Sequence, residues 1–229
     1  MSYETLLQEN LQKISDTFHE SLPREHKEYL IRLKKSGFEP HVIYDIGACV
    51  LHWTRFAETL WPDAKYIVFD AFQPAEFLYK NEDSGYNHHL GVLSDEDYKQ
   101  VKFYQNDFHL FQSSYFREVG CQCMEHYDMD DYIEQPSMTL DTIVERNDFP
   151  LPDFVKISVE GAERDIINGG KKTFTEAQYM IVDMYYDHSK LFAPTVHTTL
   201  PCITQLGWKC SAPLFTDTGT NGYFGFTRC

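Results

Sequence analysis

Residues 41–70, HVIYDIGACVLHWTRFAETLWPDAKYIVFD, decide the fold. HVIYDIGA (41–48) is a short β-rich apolar run ending in glycine, 51–60 has helical spacing until Pro62 stops it, and KYIVFD (65–70) is a second β-rich run. Strand, turn, helix, strand is the opening of a parallel sheet. Downstream the pattern continues, with a helix over 74–80 started by Pro74 and HHLGVL (88–93) as a third strand. It lapses between about 101 and 139, where VKFYQND reads as a strand, aromatic and acidic residues follow, and a strand lies near 134–139. This span is an insertion or cap. Alternation resumes with a helix at LDTIVERN (140–147), a buried strand at FVKISV (154–159), a helix over 162–168 closed by Gly169 and Gly170, and a fifth parallel strand at QYMIVDM (178–184). The tail, Trp208 to Leu214 and then YFGFT after Asn221-Gly222, reads as an antiparallel hairpin at one edge. Upstream, 2–17 and 22–35 carry apolar residues at helical spacing. The expected architecture is α/β, a mostly parallel central sheet with helices on both faces, with a helical extension over 1–38 and a main domain over 39–229.

Composition narrows the function. The 229 residues are 42% hydrophobic, enough for one sizeable core. Against 20 Lys and Arg stand 35 Asp and Glu, a formal charge of −15 with no segregated basic face, so nucleic acid is not an expected partner. No run of about 18 apolar residues occurs, and MSYETLLQEN lacks the features of a secretory leader. Membrane insertion is therefore not expected, and the reading is a soluble, cytoplasmic protein. The six cysteines form no CxxC pair and are expected to be reduced. Cys121 and Cys123 near His126 lack the spacing of a four-ligand zinc site, so no metal is expected. The acidic stretch EHYDMDDYIE (125–134) reads as a solvated face.

In open α/β sheets the ligand lies beyond the carboxyl ends of the strands. Those ends are polar here: Asp45 and Gly47 after the first, Asp70 after the second, Glu160 to Glu163 after the fourth and Asp183 after the fifth, with His188 beyond. A dinucleotide needs GxGxxG to bring backbone against a pyrophosphate, and only Gly47 is present, which disfavours a dehydrogenase. A nucleoside without phosphates asks less of that turn but still wants a carboxylate such as Asp70 for its ribose. Within DFVKISVEGAERDIINGG (153–170), Lys156 lies in an otherwise apolar strand, and alternation puts Lys156, Ser158 and Glu160 on one side. Burial of an ammonium demands a partner or a lowered pKa, so Lys156 is either a catalytic group or half of a structural ion pair.

KISVEGAERDIINGG resembles the KIDVEGAE-type motif of the FkbM family of S-adenosylmethionine (SAM)-dependent methyltransferases. DIGACVLHWT (45–54), FDAFQP (69–74), LGVLSDED (90–97) and MTLDTIV (138–144) are similar to that family's other segments, in its order, over roughly 41–184. The resemblance implies a class I methyltransferase (Rossmann-like) fold. It also implies O-methylation of a hydroxyl on a sugar, glycan or related small metabolite, with S-adenosylhomocysteine (SAH) as product. Carried over, Asp45 and Gly47 are expected to shape the turn beside the methionine moiety, Asp70 to hold the ribose and Leu93 with Ser94 to border the adenine, with Ala48 and Ala71 also expected to bind the cofactor. Three positions depart from the family: Leu51 for a second glycine, Ala71 for the proline of FEP, and Ser158 for the aspartate of KIDVEGAE. Leu51 is expected to narrow the cofactor cleft, and Ser158 removes a carboxylate that Mg²⁺ would use, which favours metal-independent chemistry.

In-line attack on a sulfonium methyl depends on positioning at about 3–3.5 Å and on a base for the hydroxyl proton. Lys156, Asp183 and His188 are the expected base candidates, with Glu160 orienting Lys156 or the helix start. The acceptor is expected between 104–134 and 186–202, against Tyr104, Phe108, His109, Ser113, Ser114, Tyr115 and Tyr186. The same departures also fit a catalytically inactive methyltransferase-like domain acting as a binding module.

Overall fold

The computed structural model describes residues 2–17, 20, 22–80, 85–105, 113–117, 132–187, 190–214 and 220–229. His188, Phe108, His109, Cys121, Cys123, His126 and most of the acidic stretch lie outside them.

Two helices come first, α1 (Tyr3–Asp16) and α2 (Arg24–Lys35). The sheet then builds as β1 (Val42–Ile46), α3 (His52–Leu60), β2 (Lys65–Asp70), the short α4 (Glu76–Tyr79) and β3 (Asn87–Leu90). After β4 (Val92–Leu93), β5 (Gln100–Phe103) and β6 (Ile133–Met138) come α5 (Leu140–Arg146), β7 (Phe154–Ile157) and α6 (Glu163–Gly169). The chain closes with β8 (Tyr179–Tyr185), α7 (Val196–Gln205), β9 (Trp208–Leu214) and β10 (Asn221–Arg228). Seven strands form the main sheet in the order β3-β2-β1-β7-β8-β10-β9. Pairs from β3 to β8 are parallel, whereas β10 runs antiparallel to both neighbours. The order reverses at β1, whose neighbours are β2 and β7, and a crevice opens there beyond the strand ends.

The residues explain the layers. β1 and β7 are buried at every position, as central parallel strands must be when helices cover both faces. Period-two alternation sends Ile43, Val68, Phe154 and Ile181 to the face covered by α1, α2 and α3, where they meet Leu11, Leu30 and Trp53. Tyr44, Ile67, Val155 and Val182 go to the opposite face, against Leu140, Ile143, Ile166 and Ile203. Asp45 and Lys156 fall on the first face by the same alternation, so α2 roofs the polar end of that layer.

HHLGVL is not one strand. Asn87–Leu90 pairs with β2, then the chain leaves the main sheet, and Val92–Leu93 joins a three-stranded sheet of order β4-β6-β5. The lapse in alternation after residue 100 is this second sheet, in which β5 and β6 are antiparallel. Among the described residues no helix is long and apolar enough to cross a membrane.

Candidate active site

A cavity of about 280 Å³ opens beyond the carboxyl ends of β1, β2 and β7. Its floor is the turn after β1. The N–H groups of Gly47 and Ala48 both donate to Phe69 O on β2, at 2.8 and 3.1 Å, while Ser158 N donates to Ile46 O at 3.0 Å. The turn is thus clamped between two strands. Gly47 has φ +79°, and a Cβ there would lie 1.8 Å from Ser158 O, so close approach of β1 and the β7 end requires glycine.

Asp70 lines the cavity from the end of β2. One carboxylate oxygen accepts the Cys49 N–H at 2.6 Å and the other the Phe72 N–H at 2.8 Å, which ties the turn after β1 to the turn after β2. Each oxygen retains acceptor capacity. Burial raises the Asp70 pKa, and the two N–H bonds and the Lys156 charge pull against that rise. Ala71 and Leu93 also line the cavity. Ala48 and Ser94 do not: both are buried, and Ser94 holds the β4–β6 junction through its N–H to Met138 O at 2.9 Å.

Lys156 faces the cavity, and its partner is Asp45 rather than Glu160. Its Nζ donates to Asp45 Oδ1 at 2.8 Å, to Gly47 O at 2.6 Å and to Ile46 O at 3.4 Å. All three contacts run from Nζ to acceptors, so Lys156 acts as a pin under the turn after β1. Asp45 is completed by Thr54 Oγ1, which donates to its other oxygen at 2.6 Å. Alternation along one strand could not reveal this pair, because Asp45 and Lys156 are opposite residues of two parallel strands.

Glu160 also lines the cavity, at a left-handed φ of +60°. It accepts the Tyr185 hydroxyl at 2.5 Å and lies 3.5 Å from Lys190 Nζ. The helix start belongs instead to Glu163, whose Oε1 accepts the N–H groups of Val159 at 2.9 Å and Gly161 at 3.3 Å. Burial pushes the Glu163 pKa up to about 7. Asp183 does not reach the cavity: it is buried, receives both its bonds from Asn221 Nδ2 at 3.0 and 2.8 Å, and is pushed well above the usual carboxylate range by burial and by Glu163 and Glu160. The departure at Leu51 does not narrow the cleft either. Its side chain is fully buried in the core under the turn. Ser158 lines the cavity with its Oγ 3.3 Å from the Tyr223 hydroxyl, and Ser113, Ser114 and Tyr115 form part of the wall, whereas Tyr104 and Tyr186 do not.

Three further wall residues come from elements with no site residue among those expected. His26 of α2, His52 of α3 and Tyr223 of β10 all line the cavity. Burial first, then the Lys156 charge, lowers the His26 pKa to about 3 and that of His52 to about 4. The only sequence signal for His26 was its place on the apolar stripe of α2, which predicts burial and not a cavity.

Residues 45–207 match the family described as the methyltransferase FkbM domain. The chain belongs to the FkbM methyltransferase family, whose methyl donor is SAM. Among solved structures, the chain is similar to the O-methyltransferase TomG from Streptomyces achromogenes in complex with SAM, at 11% identity over 95% of this chain and 88% of that one, with a TM-score of 0.51. It is also similar to an O-methyltransferase from Bacillus cereus in complex with SAH, at 8% identity, 97% and 90% coverage and a TM-score of 0.52. A putative RNA methyltransferase from Pyrococcus horikoshii aligns at 12% identity over 96% of both chains, with a TM-score of 0.50. These likenesses show the class I methyltransferase fold for this FkbM protein. No curated protein matches the sequence.

Proposed function

We propose that this FkbM methyltransferase transfers its methyl group to a hydroxyl oxygen of a small polyhydroxylated acceptor, a sugar or glycan. The observation that carries this reading is the group of uncharged hydrogen-bonding side chains where the cavity passes beyond β7, Ser158, the Tyr223 hydroxyl, His26 and, from another segment, Ser113 and Ser114. Such groups each donate and accept, as a polyol requires. Tyr115 adds an aromatic surface beside them.

The residues present fit the cofactor. Asp70 keeps acceptor capacity toward the cavity for ribose hydroxyls, the Gly47–Cys49 turn brings bare backbone to the methionine end, and Val92, Leu93, Phe103 and Ile166 give an apolar slot of the kind an adenine takes. When bound, SAM supplies an electrophilic methyl group on a sulfonium. Lys156 holds the floor in register through Asp45 and Gly47 O, and Glu160, fixed by Tyr185, places a carboxylate in the wall. With no pyrophosphate to cradle, the single glycine of the turn suffices.

The test begins with thermal unfolding in the presence of SAM and SAH. A specific ligand at 100 times its Kd adds about 2.7 kcal/mol of stability. It continues with radiolabelled methyl transfer to a panel of free hexoses, deoxyhexoses and polyols, with amino sugars and small thiols beside them. Saturable stabilisation by both ligands with label in an ether product supports the reading. Stabilisation with label only in amine or thiol products overturns the choice of oxygen, and no stabilisation by either ligand points to the binding-module alternative.

A further inference from the structure

His26 is 1% exposed, lines the cavity, and has no hydrogen-bond partner at either ring nitrogen among the described residues. A buried polar group left unpaired costs about 1–3 kcal/mol, so two such nitrogens on one cavity wall ask for a ligand. The ring is held in place by packing alone: its edge meets the Tyr223 ring at a centroid distance of 4.0 Å and an interplanar angle of 88°. Tyr223 in turn reaches Ser158 at the end of β7. His26 therefore stands over the strand end where the acceptor is placed above, and this inference rests on that hydroxyl reading.

We propose that the His26 imidazole receives the proton of the acceptor hydroxyl during methyl transfer. In this step the hydroxyl oxygen forms a bond to the methyl carbon, the S–CH₃ bond breaks with its electron pair going to sulfur to give SAH, and the O–H proton moves to the free imidazole nitrogen. Of the other candidates among the described residues, Lys156 donates to three acceptors, Asp183 lies outside the cavity, and Glu160 is held by the Tyr185 hydroxyl with Lys190 Nζ 3.5 Å away. The groups facing His26 are Lys156 of β7, His52 of α3 and Tyr223 of β10. Burial and the two basic neighbours keep the imidazole neutral at physiological pH, ready to accept. Its weak basicity is sufficient, because a hydroxyl that gains a methyl without losing its proton becomes a protonated ether, a far stronger acid than imidazolium. His26 lies outside residues 45–207, so the helical extension completes the site of the family domain.

The test compares wild type, His26→Ala and His26→Gln in radiolabelled methyl transfer to the sugar found by the panel, in SAH binding by calorimetry and in imidazole nitrogen NMR. Removal of a general base costs about 10²-fold or more. The expected result is that loss in both variants with SAH affinity retained, partial recovery of His26→Ala by added imidazole, and a shift of the His26 ring nitrogens in wild type when the sugar is added to the SAH complex. Wild-type transfer by either variant overturns the proposal, as does loss of transfer with loss of SAH affinity and no rescue, which makes His26 a cofactor wall. If His26→Ala does not fold, His26→Gln and the NMR shift decide. A wild-type protein that methylates no hydroxyl overturns the acceptor reading itself, a result visible before any variant is made.

Discussion

Lys156 Nζ lies 2.8 Å from Asp45 Oδ1, between residues that face each other directly across the β1–β7 ladder. Their side chains are 6% and 0% exposed, so neither charge has water to fall back on. Removing one partner of such a pair leaves the other buried and uncompensated, at a cost of about 3–5 kcal/mol. Lys156→Met is therefore expected to lower folding stability by that amount in denaturant titration, and Lys156→Met combined with Asp45→Leu to recover part of it. A midpoint unchanged in the single variant would show that the pair does not hold the two strands.

Asp70 binds two turns at once, through Cys49 N and Phe72 N, and faces the cavity with the remaining lone pairs. Hydrogen bonds to a charged group are worth about 1.5–3 kcal/mol each, so Asp70→Ala is expected to weaken SAH binding by about 10- to 100-fold or more. Calorimetry checks this in a variant whose circular dichroism confirms folding. Unchanged affinity removes Asp70 from the ribose site.

Gly47→Ala places a methyl group 1.8 Å from Ser158 O and a non-glycine residue at φ +79°. The left-handed conformation alone costs about 1–2 kcal/mol, and the overlap with backbone cannot be relieved by a side-chain rotation. The expected outcome is a strongly lowered unfolding midpoint and loss of SAH stabilisation together. A variant as stable as wild type would mean that β1 and β7 do not approach as described.

The legible and illegible parts of this molecule divide along physical lines. The runs at 42–46, 65–70 and 154–157 declared central parallel strands, because a strand covered on both faces is apolar almost throughout instead of alternating with polar residues. The break after Leu90 was hidden, since Gly91 inside an apolar run marks a bend without saying which sheet the next residues join. Gly47, Asp70 and Glu160, which line the cavity, stand out at strand ends, where an α/β sheet keeps its site, Lys156 because it interrupts an apolar strand, and Leu93 through the family resemblance alone. Their pairings could not, since Asp45 and Lys156 are 111 residues apart and only the strand order makes them neighbours. His26 was missed for a related reason: helical period says which face of α2 is buried, and nothing in it says that a cavity lies beneath part of that face.

The His26 pKa gives the molecule a pH signature that a single substitution should remove. Its folded value is about 3 against an ordinary 6.5, so between those values the unfolded chain binds a proton that the folded chain does not. Stability from this group is complete above pH 6.5 and is lost as pH falls toward 3. His52, lowered to about 4, acts in the same direction, while Glu163, raised to about 7, acts oppositely and favours the fold as pH drops from 7 to 4.5. The wild-type profile alone therefore mixes opposing contributions. The difference between wild type and His26→Gln cancels the others and isolates one group. Each unit below pH 6.5 is worth about 1.36 kcal/mol, so the variant is expected to gain on wild type by on the order of 2–3 kcal/mol between pH 7 and 4.5, read from denaturant midpoints. Parallel curves would mean that His26 is free to take up a proton in the folded state and is not the neutral, buried group that the cavity wall requires.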